Sequence, residues 1–299
     1  MTTDNRPSHR YHSLPAVGPG PPPDPRFLHV AEEFLMSPVR LANARAHVAS
    51  ACLAGLIVCV AASAAVAQSV QTVTLRGKSQ IVHVYGVRGR PPVVVSSGDG
   101  GWMHLGPHVA EVLAARGYFV VGFDVKAYLS SFTSGKTTLK PEDEPGDYRI
   151  LAAFAARGAS ERPVLIGVSE GAGLSVLAAT DAATKSVVSG VIALGLPDKN
   201  ELGWRWTDSS IYFTHADPDE PMFSAAKVIA RVSPLPIVAI HSTQDEYVPL
   251  DEIRRVMAAA GEPKQLWIVK ASNHRFSDNL GEFDRRLLEA MSWIAKAGR

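Results

Sequence analysis

Short apolar runs that alternate with helical segments constrain the fold of this chain more than any other feature. The runs hold few polar residues, whereas a strand with one solvent-facing side would alternate apolar and polar residues. They cover residues 91–95, 118–123, 164–168, 187–194, 237–240 and 265–269. Helical patterns separate most of them, over residues 107–116, 145–156, 171–183, 250–260 and 280–296. Such an alternation predicts an α/β domain with a mostly parallel sheet covered by helices. Residues 71–87 alternate and predict a two-strand hairpin before this sheet.

A segment before the hairpin has the features of an export signal. Residues 48–67 carry no charge, follow Arg40 and Arg45, and end in the small-x-small triplet Ala65-Val66-Ala67. A basic region, a short apolar stretch and such a triplet predict a signal peptide over residues 36–67, cleaved after the last alanine. We therefore expect export to the periplasm. An uncleaved inner-membrane anchor that faces the periplasm stays open as the alternative.

The first 35 residues have a different composition. Residues 1–35 are rich in proline and have almost no apolar clustering, so they are predicted to be a disordered extension. Because Met36 lies where a conventional signal peptide would begin, we expect it to be the true start. The remaining residues 68–299 are predicted to form one domain.

Composition excludes several classes of protein. With 30 basic and 29 acidic side chains the net charge is +1, which gives no electrostatic attraction for nucleic acid. Both cysteines, Cys52 and Cys59, lie in the predicted signal segment. A domain over 68–299 therefore has neither a thiol nucleophile nor a cysteine–zinc site. We expect no cofactor.

The pentapeptide Gly167-Val168-Ser169-Glu170-Gly171 follows a buried run and opens a helical segment. A G-x-S-x-G motif between strand and helix is the nucleophile elbow of the α/β-hydrolase fold. Its glycines are needed because the sharp turn brings strand and helix backbones close together. The motif predicts Ser169 as the nucleophile.

A serine hydroxyl needs a base, and in this fold the acid and then the histidine follow the nucleophile along the chain. Asp245 comes just after the run 237–240, where the orienting acid is expected, and the adjacent Glu246 is an alternative. His274 follows the run 265–269 and is the only histidine after the acid. These residues predict a Ser-Asp-His triad.

Two backbone N–H donors are expected to stabilise the oxyanion. The residue after the nucleophile, Glu170, supplies one, and the glycine-rich loop after the first buried run supplies the other, from Asp99 or Gly100. The pair His104 and His108 has helical i, i+4 spacing, but no acidic third ligand follows, so we expect structural roles and no metal.

Residues 198–233 interrupt the strand–helix rhythm and predict a small cap insertion. The insertion is rich in aromatic residues, namely Trp204, Trp206, Tyr212, Phe213 and Phe223. They are expected either to pack the underside of the cap or to form an apolar rim for a lipid or acyl group. On the second reading Trp204 and Trp206, together with Trp102 from the glycine-rich loop, would contact the substrate.

Four groups of residues together resemble the bacterial VirJ/AcvB virulence family. They are Ser97-Gly98-Asp99-Gly100-Gly101-Trp102, Gly122-Phe123-Asp124 with Tyr128-Leu129, Gly167 to Ala172, and Asn273-His274-Arg275-Phe276. The resemblance covers roughly residues 75–296, and a single domain after a signal peptide is similar to the shorter, VirJ-type member. It implies an exported α/β-hydrolase with links to type IV secretion. For some members it also implies hydrolysis of aminoacyl-phosphatidylglycerol at the inner membrane.

The sequence as a whole favours an exported serine hydrolase that acts on a lipid or small ester, with contact to a membrane surface. The aminoacyl ester of aminoacyl-phosphatidylglycerol is the substrate that the resemblance implies. Two alternatives remain open: a non-catalytic periplasmic binding or assembly factor that meets secretion-system proteins, and a broad secreted esterase.

Overall fold

Eight strands form one sheet at the centre of the computed structural model, which describes residues 68–210 and 220–298. The sheet strands are β1 (Ser69–Leu75), β2 (Lys78–Tyr85), β3 (Pro92–Ser96), β4 (Phe119–Phe123), β5 (Val164–Val168), β6 (Gly190–Leu194), β9 (Ile237–Ser242) and β10 (Lys264–Val269). Their spatial order is β1-β2-β4-β3-β5-β6-β9-β10. The first two pairings, β1 with β2 and β2 with β4, are antiparallel, and all the others are parallel.

Helices cover both faces of this sheet. They are α1 (Leu105–Ala115), α2 (Val125–Phe132), α3 (Glu144–Ala155), α4 (Glu170–Ala178), α5 (Ala182–Val187), α6 (Ala225–Val228), α7 (Leu250–Ala259) and α8 (Leu280–Ala297). Successive residues of β3 face opposite cores, since Val94 belongs to the core on the side of α3 and α4, while Val93 and Val95 belong to the core on the side of α1. Every residue of β3 is buried, which explains its uninterrupted apolar sequence.

The predicted fold class, a mostly parallel sheet flanked by helices, is confirmed. The predicted helix over 171–183 is wrong in its extent, because α4 ends at Ala178 and a separate helix begins at Ala182. Asp181 caps that second helix, where its carboxylate accepts a hydrogen bond from the Thr184 backbone N–H at 2.8 Å. The strand predicted over 187–194 consequently begins only at Gly190.

The insertion between β6 and β9 forms a small sheet of its own. Strands β7 (Lys199–Glu201) and β8 (Met222–Ser224) pair in antiparallel fashion, and single 3₁₀ turns follow at Trp206–Ser210 and Ile229–Val232. Tyr212 and Phe213 lie outside the described residues, as do the extension 1–35 and the signal segment 36–67. Within 68–210 and 220–298, no helix is both long and apolar enough to span a membrane.

Glu144, in the first turn of α3, is fully buried, and neither carboxyl oxygen has a hydrogen-bond partner among the described residues. Burial raises the pKa of Glu144 well above its ordinary value, and the nearby carboxylates of Asp147 and Asp181 raise it further. The folded protein therefore holds this proton more tightly than the unfolded chain does. The stability that it contributes is present below the unfolded pKa of 4.5 and is lost as pH rises from there through the folded pKa.

We expect Glu144→Gln to stabilise the fold increasingly as pH rises. The gain should reach up to about 1.4 kcal/mol per pH unit above the unfolded pKa, until the folded pKa is passed. Urea unfolding at pH 5 and pH 8 measures the difference. Glu142→Gln, at an exposed position of the same segment, is the matched control without such a gain. An equal effect of Glu144→Gln at both pH values would contradict the prediction.

Candidate active site

The turn from β5 into α4 holds Ser169 in a strained backbone conformation. Its φ of 51° and ψ of −117° are unusual for a residue with a side chain. The two flanking glycines permit this turn, because a Cβ at Gly167 would collide with the Gly171 carbonyl and a Cβ at Gly171 with the Ser97 carbonyl. The strain thus presents the Ser169 side chain at the carboxyl end of the sheet, as expected of a nucleophile elbow.

Asp245 and His274 meet at the ends of the neighbouring strands β9 and β10. His274 Nδ1 lies 2.6 Å from Asp245 Oδ2, while Asp245 Oδ1 accepts hydrogen bonds from the backbone N–H groups of Tyr247 and Val248. Burial of Asp245 raises its pKa, but the bonds from His274 and Val248 outweigh burial and leave the pKa below its ordinary value. The carboxylate is therefore ionised and can fix the imidazole tautomer with the proton on Nδ1.

Glu246, the alternative acid, makes a different contact. Its Oε2 accepts a hydrogen bond of 2.6 Å from the backbone N–H of His274. Asp245 contacts the imidazole and Glu246 contacts the main chain, so two adjacent carboxylates hold one histidine through different groups. Of the two carboxylates, Asp245 is therefore the one that contacts the imidazole ring.

Leu194 and Gly195 lie between the nucleophile elbow and His274, because the first contacts Ser169 and the second contacts the imidazole. The Ser169 backbone N–H donates to the Leu194 carbonyl at 2.8 Å. A Cβ on the next residue, Gly195, which has φ of 59°, would lie 2.5 Å from His274 Cε1. His274 Nε2 is buried and has no hydrogen-bond partner among the described residues. Ser169 and His274 line one cavity, so the free ring nitrogen is available to a proton of Ser169 or of a substrate.

The glycine-rich loop after β3 packs directly against the elbow. A Cβ at Gly98 would lie 3.4 Å from Ser169 Cβ. Asp124 braces the loop, since Oδ2 accepts a hydrogen bond from the Trp102 backbone N–H at 3.1 Å and Oδ1 caps α2 through Ala127. The loop is therefore held firmly next to Ser169.

The loop and the elbow leave three backbone donors near the nucleophile. The N–H groups of Asp99, Gly100 and Glu170 make no hydrogen bond to any of the residues that the structure describes. All three residues line the cavity with Ser169. They are the donors expected to form an oxyanion hole.

The structure does not bring the three tryptophans to the cavity wall. Trp102 turns inward, where its ring stacks on His83 with centroids 5.0 Å apart and occupies the space left by the missing side chain of Gly122. Trp204 packs against the core beneath Lys126, and Trp206 is 79% exposed. The expectation that they form the substrate cavity is corrected: Trp102 and Trp204 pack against the core, and none of the three lines the cavity with Ser169.

The cavity above Ser169 has a volume of about 620 Å³. The insertion supplies one wall with Pro197, Asp198, Lys199, Glu201 and Met222. The site is strongly charged, with basic residues Lys126, Arg255 and Arg275 and acidic residues Asp99, Glu170, Glu246 and Glu252 also lining it. A cavity of this size can hold a small molecule.

The two histidines with i, i+4 spacing do not share a ligand. His108 Nε2 contacts Asp284 Oδ1 at 2.7 Å, while His104 lines the cavity. In the described ranges, no group of three His, Cys, Asp or Glu side chains is arranged to hold a metal ion.

His241, at the end of β9, is a residue that sequence reasoning did not assign. It is fully buried. Its Nε2 lies 2.9 Å from the Val248 carbonyl oxygen and 3.9 Å from Asp245 Oδ2. Burial lowers the pKa of His241, so the neutral ring donates its Nε2 proton to the carbonyl. This bond closes the turn that presents Asp245. A histidine four residues before the acid was the available hint.

Replacing His241 with leucine should leave the Val248 carbonyl without its donor. We expect the free energy of unfolding to fall by about 1–3 kcal/mol, and kcat to fall more than KM rises because Asp245 loses its support. Chemical denaturation and steady-state kinetics measure the two effects. His241→Gln, which can place an amide donor toward the same carbonyl, should recover part of both losses. Recovery of neither by glutamine would contradict the role of the bond.

The strand order, the elbow after β5 and the histidine after the last strand define the α/β-hydrolase fold. The model of the family described as "Bacterial virulence protein (VirJ)" matches residues 92–294. The chain therefore belongs to the VirJ family, as the sequence motifs predict.

Solved structures show the same fold at low sequence identity. A protein of Pseudomonas aeruginosa is 18% identical, with a TM-score of 0.55 over 77% of this chain and 94% of its own. A dienelactone hydrolase from Anabaena variabilis is 15% identical, with a TM-score of 0.54 over 77% and 98%. A membrane phospholipase A, described as a bacterial virulence factor, is 14% identical, with a TM-score of 0.54 over 86% and 97%. A comparison with curated protein sequences finds no match.

Proposed function

We propose that the protein is an exported serine hydrolase that cleaves an ester through Ser169, His274 and Asp245. One observation carries the proposal: the imidazole lies 2.6 Å from an ionised buried carboxylate, its other ring nitrogen has no partner among the described residues, and His274 lines the same cavity as the strained serine. A strained backbone and a buried histidine–carboxylate pair both lower the stability of the fold, and such features are concentrated at catalytic sites.

The proposed reaction has two halves. His274 Nε2 takes the proton of Ser169 as Oγ bonds to the ester carbonyl carbon, and the carbonyl electron pair moves to oxygen. The N–H groups of Glu170 and of Asp99 or Gly100 stabilise that oxyanion. When the intermediate collapses, the leaving alkoxide takes the proton from His274 and departs as an alcohol. Water then hydrolyses the acyl-serine with His274 again as the base.

The aminoacyl ester of a phospholipid head group is the substrate that we favour. The motivation is the charge of the cavity, which offers carboxylates near Ser169 for an ammonium group and Lys126, Arg255 and Arg275 for a phosphate. The signal segment predicted over 36–67 would deliver the enzyme to the periplasm, where the head groups of lipids in the outer leaflet of the inner membrane are accessible. Family membership adds the proposed link to secretion-system proteins.

Lipid profiling of a deletion strain tests the substrate. We expect aminoacylated phosphatidylglycerol to accumulate in the deletion strain and to return to its normal level with the wild-type gene. A Ser169→Ala gene should leave it elevated. If Ser169→Ala restores both the lipid profile and secretion, the protein acts as a binding or assembly factor. If the deletion changes no aminoacylated lipid, the substrate is a different ester.

A further inference from the structure

The edge of the sheet opposite Ser169 holds arginines that the proposed chemistry does not use. Two turns, over residues 86–91 and 156–163, lead into the parallel neighbours β3 and β5 at this amino-terminal edge. Their four exposed arginines form what we call the basal arginine cluster, namely Arg88, Arg90, Arg157 and Arg162. The two turns contain one acidic residue, Glu161. Positive charge therefore dominates this edge.

Contacts between the two turns bring the arginines together. A Cβ on Gly89 would lie 3.2 Å from the Gly158 carbonyl oxygen, so the turns touch. The guanidinium carbons of Arg88 and Arg157 lie 4.8 Å and 5.1 Å from the centroid of one ring, that of Phe154. The two charges are thus within about 10 Å of each other, which is about one Debye length at 0.1 M salt, and they repel.

No carboxylate among the described residues offsets this repulsion. None of the four arginines forms an ion pair there, and Glu161 instead accepts a hydrogen bond of 2.9 Å from Ser160 Oγ. Exposed arginines on two helices differ, since Arg254 and Arg285 each pair with a carboxylate of their own helix. The basal arginine cluster therefore has charge and N–H donors to offer to an external anion.

The surroundings of the cluster favour carboxylates of a protein. Val87, between two glycine-flanked arginines of the first turn, is 70% exposed and offers contact to an apolar side chain. Backbone carbonyls already orient part of the cluster, because Arg88 donates to the Phe154 carbonyl and Arg90 to the Gly117 carbonyl. An exposed valine beside oriented guanidinium groups suits a peptide with acidic and apolar residues.

Other anionic partners fit less well. The net charge of +1 gives no long-range attraction for a nucleic acid. A membrane at this edge would lie on the far side of the sheet from the cavity, because the five residues of β5 span about 16 Å between the two edges. An enzyme docked in that way could not reach a lipid ester with Ser169.

We propose that the basal arginine cluster, with Val87, binds an acidic segment of a partner protein. The exclusion of a membrane rests on the proposed function, whereas the charges and contacts of the cluster do not. Because this surface and the cavity lie at opposite edges of the sheet, the partner leaves the entrance to Ser169 open. The protein can therefore be held by a partner and act on an ester at the same time.

A charged peptide and its neutral counterpart test the surface. The first is a fluorescein-labelled peptide of glutamates with one leucine at its centre, and the second has glutamine in place of each glutamate. We expect fluorescence anisotropy at about 0.05 M ionic strength to show at least about tenfold tighter binding of the glutamate peptide. Replacing Arg90 and Arg157 together with glutamine should raise its Kd about 4–25-fold, at about two- to fivefold for each exposed charge pair. Arg88 is kept because it packs on two rings.

The double variant Arg254→Gln with Arg285→Gln is the matched control, because it removes the same charge from exposed, ion-paired arginines. It should keep the wild-type Kd, and both double variants should keep wild-type ester hydrolysis. An equal rise in Kd for the two double variants overturns the proposal, since net charge alone would then explain the binding. Equal binding of the two peptides by wild-type protein overturns it as well.

Cosedimentation with phosphatidylglycerol vesicles distinguishes a lipid from a protein. The variant without Arg90 and Arg157 should sediment with the vesicles as the control variant does. If it loses the vesicles and keeps the peptide, the surface contacts a membrane and the proposal is wrong. If the protein binds the glutamate peptide through these arginines yet cleaves no ester, the surface stands and the proposed reaction fails. An active hydrolase that does not bind the peptide gives the opposite result.

Discussion

Replacing Ser169 with alanine is expected to lower kcat for ester hydrolysis by about 10⁴–10⁶-fold, because the variant has no oxygen nucleophile for the acyl group. Binding of the ester should persist, since the cavity and the backbone donors stay in place. Steady-state kinetics with a methyl or p-nitrophenyl ester gives kcat. A serine-directed fluorophosphonate should label wild-type protein and leave the variant unlabelled.

The control for this change is Ser292→Ala, on the exposed side of α8. It should keep both the activity and the labelling. Because Ser169 has a strained φ of 51°, alanine there carries the same backbone cost, and circular dichroism should show an unchanged fold. Hydrolysis at more than about a hundredth of the wild-type rate by a folded Ser169→Ala protein would rule out the nucleophile assignment.

Asp245→Asn should lower kcat by about 10³–10⁴-fold while the fold is kept. The amide can donate to His274 Nδ1, which favours the wrong tautomer, and it cannot stabilise the imidazolium that forms during the reaction. Glu246→Gln should cost no more than about tenfold, because its bond goes to the His274 backbone and a glutamine oxygen can still accept it. The pair of variants therefore compares two neighbouring carboxylates with different contacts.

Measurement of kcat and KM at several pH values decides the result. For Asp245→Asn the loss should appear in kcat, with KM little changed. Equal losses in the two variants would mean that both acids act through the imidazole, contrary to their contacts. A larger loss in Glu246→Gln would reverse the assignment.

The sequence predicted the features that depend on local patterns. The buried runs located most of the sheet strands because strands covered on both faces have apolar sequences. The elbow was predictable because only glycine fits at 167 and 171, where the backbones touch. The order of Ser169, Asp245 and His274 follows from strand order, since each lies after a strand whose carboxyl end reaches the same edge of the sheet.

Features that depend on packing between distant residues were not predictable. Asp245 and Glu246 are adjacent in sequence, and only the turn that His241 closes directs one of them to the imidazole. Trp102 was expected at the substrate, but Gly122 of β4 leaves room for its ring inside the fold. Helix α2 was missed because its eight residues follow a strand directly and depend on the Asp124 cap.

The glycine-rich loop and the nucleophile elbow follow two adjacent strands, since β3 and β5 pair in parallel and lie side by side. Their separation is set by the ladder of backbone hydrogen bonds, at about 4.7–4.9 Å between strands. Any amino acid other than proline that tolerates the backbone angles supplies the same N–H groups, so such point mutations at 99 and 170 leave these donors in place. Evolution is thus free to exchange the side chains at 99 and 170 one at a time. The substrate preference of such an enzyme can therefore change while the residues that break the ester bond stay the same.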